Sequence, residues 1–567
     1  MTPRIRMDGV GKSALETART RLLVGGGLVA AAFLAVGVRL VDVSVIETPE
    51  QTRIASQRTV AGPIQMTRAE IVDRNGVLLA TSLDTASLYA NPHKVPNAAA
   101  AARRLAEVLP ERSVAELTAL LASDRNFVWL ERNLTPREQY EVNRLGIPGL
   151  DFQREQRRVY PNGPLAAHVL GFTDIDNAGI AGVEQSFDDS LKSRRNELAL
   201  AVDIRIQQVL RHELALQIEK FKAIGGGGLV LDARTGEIVA MVSLPDFDPN
   251  MPGSSSEDER FNRMTLGIYE LGSVFKIFNH ALALESGVAT ITSRYDATKP
   301  IRVGRFTIND YHPEKRWLTL PEIFKHSSNI GSAKMALDAG GAAQKKFLSD
   351  LGLLRRTSIE LPEQGLPMYP ATWRDVNTMT ISYGHGIAIS PLHMATAVAA
   401  IVNGGILHPP TLIRRKPEDA VPGTRVVSAE TSRAMRSLLR LVVEDGTGRN
   451  ASAPGYLVGG KTGTAEKQVN GIYKRKALIS SFVAAFPIHA PRYVVLAMLD
   501  EPKGIKESFG FATAGWTAAP VVSRVIARTA PLLGIAPYEE SAPEIVNALA
   551  LPGETTLELR RRRVASN

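Results

Sequence analysis

Ser273 is followed three residues later by Lys276 in "YELGSVFKIFNHALALESG", Tyr269 to Gly287. No other serine of the chain has a lysine at that spacing. On a helix, positions i and i+3 share a face, so the lysine amine can reach the serine hydroxyl. Phe275, Ile277 and Phe278 surround Lys276 and argue against a solvated face. A lysine buried beside a serine is the arrangement that could activate a nucleophile for acyl transfer. A free lysine, with a pKa of about 10.4, is charged and cannot take a proton. Bringing it to about 7 requires roughly 4–5 kcal/mol against the ammonium form. Burial supplies part of this. A second cation about 4 Å away would add on the order of 4 kcal/mol at an effective dielectric near 20.

Two further stretches could complete such a site. "KHSSNIGSA" holds Ser327, Ser328 and Asn329, and "GGKTGTAEK" holds Lys461, Thr462, Gly463 and Thr464. Each alone is weak, because Ser-Asn pairs are common in turns and caps. Gly463 inside a strand-like run weakens a sheet, which suits close approach of a ligand backbone there. Serine-lysine, serine-asparagine and lysine-threonine-glycine together, in this order, are far more specific than any one of them.

The elements that must carry these motifs can be read in outline. The chain has 567 residues, 44% of them hydrophobic and 22% charged, with no cysteine. That excludes disulfides, thiol catalysis and cysteine metal sites. The net charge of +9 and pI near 9.5 would suit an anionic polymer, anionic lipid or nucleic acid. No zinc-finger or RNA-recognition motif accompanies the charge, so nucleic acid is not expected. Residues 1–21 are basic, and "LLVGGGLVAAAFLAVGV", Leu22 to Val38, is free of charge. A transmembrane helix is expected over 22–41, read as an uncleaved anchor rather than a signal peptide. The positive-inside rule then places the N-terminus in the cytoplasm and the bulk of the chain outside.

A pedestal domain is expected over 47–224, with a hairpin at Asn75-Gly76 and an alanine-rich helix from Pro96 to Leu109. "IGGGG", Ile224 to Gly228, reads as a boundary. A second domain is expected over 225–536, opening on two apolar strands joined through Thr235-Gly236. "ISSFVAAF" and "YVVLAMLD" read as further buried strands, and "TAAPVVSRVIART" as a last helix. Strands at both ends with helices between them predict an α+β fold. Residues 537–567, with the run Arg560 to Arg563, read as a disordered basic tail.

The three motifs, with "RAEIVDRNGVLLA", "RRVYPNGPLAAHVLGFTD", "GVEQSFDDSL" and "ISYGHGIAISPLHMA", resemble the class B penicillin-binding proteins. Among these the chain is most similar to the division-specific septal transpeptidases of the FtsI type. The serine motif here reads "SVFK", with valine where the family more often has threonine. The resemblance implies a single N-terminal transmembrane helix and an elongated mixed α/β pedestal. It also implies a penicillin-binding domain with a central antiparallel sheet flanked by helices. It implies a serine acyl-enzyme formed on D-alanyl-D-alanine stem peptides, inhibition by β-lactams, and no metal or organic cofactor.

The resemblance makes Ser273 the nucleophile, Lys276 its base, Ser327 a proton relay, Asn329 a holder of Lys276 and substrate, and Lys461 the charged partner. Thr462, Gly463 and Thr464 would bind the substrate. Tyr383 to Gly386 resemble a loop near the cleft, with His385 read as a packing histidine. Implied partners are a membrane glycan polymerase of the SEDS family and other division proteins at the inner-membrane septum, since the chain has no room for a polymerising domain of its own. Three alternatives stay open: an elongation-type sister enzyme, a water-using lactamase or carboxypeptidase, and a non-catalytic penicillin-binding sensor.

Overall fold

The computed structural model describes residues 9–45, 67–193, 196–304, 306–419, 421–469 and 472–551. The chain divides into two compact units, 1–66 and 67–567. In the first, one helix runs from Gly9 to Val45, and its stretch Arg19–Val38 is apolar and free of contacts that bury it. Those 20 residues rise about 30 Å as a helix, the thickness of a bilayer's hydrocarbon core.

The second unit opens with a five-stranded sheet. Ile71–Val72 turns through Asn75-Gly76 into the long strand Leu78–Ala90, which also pairs with Val128–Leu134 and Leu150–Val159. Asp73 Oδ1 accepts from the backbone of Asn75 and Val77, which fixes that turn. The alanine-rich helix forms over Ala98–Val108, capped by Asn97. It packs with Leu105, Leu117, Leu130 and their neighbours into a small core of its own.

The larger sheet is antiparallel throughout and ordered Gly459–Val469, Ile472–Phe486, Tyr493–Asp500, Gly225–Asp232, Ile238–Leu244. The last three strands are buried along their whole length, because helices cover both faces. Helices Ile204–Lys220 and Ala518–Thr529 lie on one side, and Pro391–Val402 on the other. This is why these strands read as unbroken apolar runs instead of alternating ones.

The larger sheet begins in "IGGGG", the boundary read from the sequence, but its glycines are strand, and the core there takes in an element from before them. Gly225 to Gly228 are buried in the sheet, and a Cβ on Gly228 would stand 3.1 Å from Leu210 and 2.7 Å from the Leu496 carbonyl. The glycines let helix Ile204–Lys220 sit close on the strands, so this helix, capped by Asp203, packs with the second domain although it precedes residue 225. The expected disorder from 537 onward is wrong up to residue 551. Pro543–Ala548 is helical, and Ile545, Val546, Leu549 and Leu551 are buried in the main core. The polar composition of the tail hid these apolar anchors. The arginine run lies outside the described residues.

Candidate active site

Three elements meet at one edge of the larger sheet. Gly272–Phe275 forms a tight helical turn that runs into the helix Lys276–Glu285. Helix Leu320–His326 ends at Ser327, and helix Asn329–Ala339 begins after Ser328. The third is the edge strand Gly459–Val469, paired on one side only among the described strands. Its outer backbone groups are open to an incoming chain.

Lys276 is fully buried. Its Nζ lies 2.8 Å from Ser273 Oγ, 2.6 Å from Asn329 Oδ1, 2.8 Å from the Ser327 carbonyl and 3.2 Å from Ser327 Oγ. Lys461, equally buried, reaches the same Ser327 Oγ at 3.0 Å. The two amines therefore share one hydroxyl. Neither lysine forms an ion pair among the described residues. Burial, and after it the Lys461 charge, pushes Lys276 well below the usual lysine range, and Asp310 opposes this in part. Burial brings Lys461 down to about 7. Repulsion between two amines is mutual, so protonating one disfavours protonating the other.

The turn Gly272–Phe275 continues directly into the helix that Lys276 opens, and the first N–H groups of the helix begun by Asn329 donate to the Asp310 carboxylate. Ser327 has φ of +59°, rare for a residue with a side chain, and is held there between its two helices.

The structure brings Ser273, Lys276, Ser327, Asn329 and Lys461 into one hydrogen-bonded group. Thr462 and Thr464 follow along the strand. Thr462 Oγ1 lies 2.8 Å from Thr447 Oγ1, and Thr464 Oγ1 accepts the Ala514 N–H at 3.1 Å. An accepting hydroxyl keeps its own proton free to donate. Gly463 has a different reason from the one expected. A Cβ there would meet the Leu271 carbonyl at 2.2 Å and Val274 at 2.5 Å. Its missing side chain admits the turn that carries Ser273, not a ligand.

Several residues at the site escaped the sequence reading. Asp310 accepts from Ser328 Oγ at 2.8 Å and from the backbone of Asn329 and Ile330 at 2.6 and 3.0 Å, fixing the asparagine that holds Lys276. It stands about twenty residues upstream with no motif to mark it. Glu270 accepts from Gly386 N at 2.9 Å and tethers the Tyr383–Gly386 loop to the serine turn. The Tyr383 ring centroid is 5.9 Å from Lys276 Nζ. His385 packs against Tyr383 and Tyr473, and burial and Lys276 lower its pKa.

Residues 226–526 match the family model of the penicillin binding protein transpeptidase domain, and 63–215 that of the penicillin-binding protein dimerisation domain. The chain belongs to the class B penicillin-binding proteins. A probable peptidoglycan D,D-transpeptidase FtsI of Caulobacter vibrioides is 42% identical over 486 residues, 83% of this chain and 82% of that protein. The peptidoglycan D,D-transpeptidase FtsI of Escherichia coli is 29% identical over 92% of both. Among solved structures, penicillin binding protein 3 of Mycobacterium tuberculosis, in complex with aztreonam, superposes with a TM-score of 0.66 at 25% identity, over 84% of this chain and 98% of that one. The transpeptidase domain of Burkholderia pseudomallei penicillin-binding protein 3 is 31% identical, with a TM-score of 0.54 over 60% and 98%. The dimerisation match falls on the smaller sheet and the transpeptidase match on the larger one. The α+β architecture expected from the sequence is that of this family.

Proposed function

We propose that this protein is a septal peptidoglycan D,D-transpeptidase working through an acyl-enzyme on Ser273. The observation that carries the mechanism is the 2.8 Å contact between Ser273 Oγ and a buried Lys276 that forms no ion pair among the described residues. Neutral Lys276 takes the Ser273 proton as Oγ attacks the carbonyl between the two terminal D-alanines. The carbonyl electrons move onto oxygen, where the backbone N–H groups of Ser273 and Thr464 receive them. Such donors typically contribute ~3–4 kcal/mol each. As the intermediate collapses, the C–N bond breaks and the leaving D-alanine nitrogen collects the proton through Ser327 Oγ. An amine of a second stem peptide then attacks the ester; the new C–N bond forms, the C–Oγ bond breaks, and the proton that the amine loses passes through Lys276 to Ser273 Oγ.

Lys461, Thr462 and Thr464 hold the terminal carboxylate. That anion favours the charged form of Lys461, against the burial that brings its pKa down to about 7. The edge strand pairs with the donor backbone as an added strand would. Gly463 serves the site by letting the serine turn pack on the strand.

The apolar N-terminal helix anchors the protein once in the inner membrane, with residues 1–21 in the cytoplasm and the catalytic domain in the periplasm. Glycan strands come from a separate membrane polymerase of the SEDS type, the partner that the resemblance to septal transpeptidases implies. Division proteins bring the complex to the septum.

Fluorescent penicillin tests the serine assignment. Covalent label is expected on the wild type and none on Ser273→Ala; equal labelling of both would end it. Depletion in the cell is expected to give filaments, and rounded cells would point to the elongation machinery instead.

A further inference from the structure

Asn329 turns its amide oxygen, not its nitrogen, toward Lys276, and the segment that arranges this lies outside the three motifs. The paired strands Ile301–Val303 and Phe306–Ile308 lead into Asn309 and Asp310. Ile308 is buried against Ala333, one turn into the helix that Asn329 opens. The two residues after Ile308 are thereby laid against the start of that helix.

The Asn309 carbonyl accepts from Asn329 Nδ2 at 2.9 Å. A carbonyl can only accept, so the amide nitrogen faces it and the amide oxygen is left for Lys276 Nζ, 2.6 Å away. Asp310 fixes the backbone of the same asparagine. Its Oδ1 accepts from the Asn329 and Ile330 N–H groups, and its Oδ2 from the Ser328 hydroxyl. Ser328 Oγ in turn caps the helix by accepting from Gly331 N at 3.0 Å. One carboxylate thus meets three donors, two of them N–H groups that a helix start leaves unpaired.

Asp310 is also a charge, and the other groups around the Lys276 helix are compensated or neutral. Lys325 and Lys334, on the neighbouring helices, pair with Asp445 and Asp296, and Arg440 pairs with Glu444. Glu285 accepts from the backbone of Ser428. On the side of the Tyr383–Gly386 loop, Glu270 is held by Gly386 N and the Tyr473 hydroxyl. Burial keeps His385 and His280 neutral, His280 pushed down to about 3. Burial also pushes Tyr383 and Tyr473 up to about 12, so neither is an anion. Lys461 and Asp310, one of each sign, are the charges left to act on Lys276.

A base needs both signs. An amine that holds its proton too firmly stays charged, whereas one depressed too far is neutral but draws the serine proton weakly. Burial and Lys461 push in one direction only. We propose that Asp310 is a positioning residue with two tasks: it holds Asn329 against Lys276, and its negative charge limits how far the basicity of that amine falls. The pH at which Ser273 becomes reactive is then set by Asp310 working against Lys461. This rests on the acyl-enzyme reading above and adds to it a residue that none of the three motifs contains.

The test is the pH dependence of Ser273 acylation by penicillin, followed by intact-protein mass spectrometry on the full-length detergent-solubilised protein. Wild type is compared with Asp310→Asn and Asp310→Glu. Asparagine keeps the shape, since its oxygen can accept the two N–H groups and its nitrogen can donate to Ser328 Oγ. Only the charge is lost. An anion favours the ammonium form of Lys276, so without it the amine is neutral at lower pH. The acid limb of Asp310→Asn is expected to move down by roughly half a unit to one unit. Its plateau is expected to fall by roughly 2- to 10-fold, because the base is weaker. Asp310→Glu keeps the charge and disturbs the fit, so its acid limb should stay at the wild-type pH whatever its loss in rate. An unmoved or upward-moved limb in Asp310→Asn would overturn the proposal, since a purely structural role lowers the rate equally at every pH. A limb in Asp310→Glu that moves down as far as expected for asparagine would overturn it independently, even if Asp310→Asn failed to fold. A wild type that takes no covalent label would instead remove the Ser273 reading, and this inference with it.

Discussion

Two of the places where the protein buries charge treat it in opposite ways. Beneath the smaller sheet, Arg68 and Arg158 share the buried Glu184 at 2.6 and 2.7 Å, and Arg68 also reaches Asp188 at 2.6 Å. Every ion there has an opposite partner. At the larger sheet, two fully buried lysines share one serine hydroxyl and have no ion-pair partner among the described residues. The first arrangement fixes a chain conformation through charges that stay as they are. The second makes charge costly, which on the mechanism proposed above leaves one amine neutral and able to act as a base. Burial is common to both; compensation separates a structural cluster from a reactive one.

The largest expected effects fall on the uncompensated side. Ser273→Ala removes covalent penicillin labelling altogether. Lys276→Met is expected to slow acylation by roughly 10²- to 10⁴-fold, the usual contribution of a positioned base, with little loss of thermal stability because it relieves a buried amine of its neighbour. Stopped-flow acylation and a melting curve measured together separate the two effects.

The paired cluster should respond in the reverse sense. Glu184→Ala leaves two buried guanidinium groups unneutralised and is expected to cost about 3–5 kcal/mol of stability by denaturant unfolding. Protein that remains folded should acylate at the wild-type rate. If Lys276→Met destabilised the fold as much as Glu184→Ala, the contrast between the two regions would fail.

A smaller effect is expected at Gly463→Ala. The added methyl would meet the Leu271 carbonyl at 2.2 Å, so the turn carrying Ser273 must move off the strand. Overpacking of this kind typically costs ~1–3 kcal/mol, and acylation should slow with it. Unchanged stability and rate would mean that the strand and turn do not pack as described.

What could be read in advance follows from the range of the physics involved. The Ser273–Lys276 spacing is a property of one helical turn, and the apolar runs of the central strands report coverage on both faces. Both lie within a few residues of sequence. Asp310, Glu270 and Thr447 act through neighbours fifteen to more than a hundred residues away, and no local pattern marks them. Gly225 to Gly228 and Gly463 were visible as glycines, but what needs them small is a helix or turn from elsewhere in the chain. Glycine runs signal a loop and a close approach equally well, and only the packing tells which. The tail after residue 537 failed for a related reason, since a few buried side chains outweigh a polar average.

The most direct test of the two-amine pocket is the pH dependence of Ser273 acylation by penicillin, in the wild type and in Lys461→Met. Lys276 acts only when neutral, so the rate should rise with pH through its lowered pKa. It should fall again as Lys461, which burial brings down to about 7, loses its charge. Removing the Lys461 charge lifts one of the two causes that depress Lys276. The acid limb should therefore move to higher pH and the alkaline limb should vanish, whatever the overall loss in rate. An acid limb at the same pH in both proteins, or one near the ordinary lysine value of about 10.4, would contradict the account.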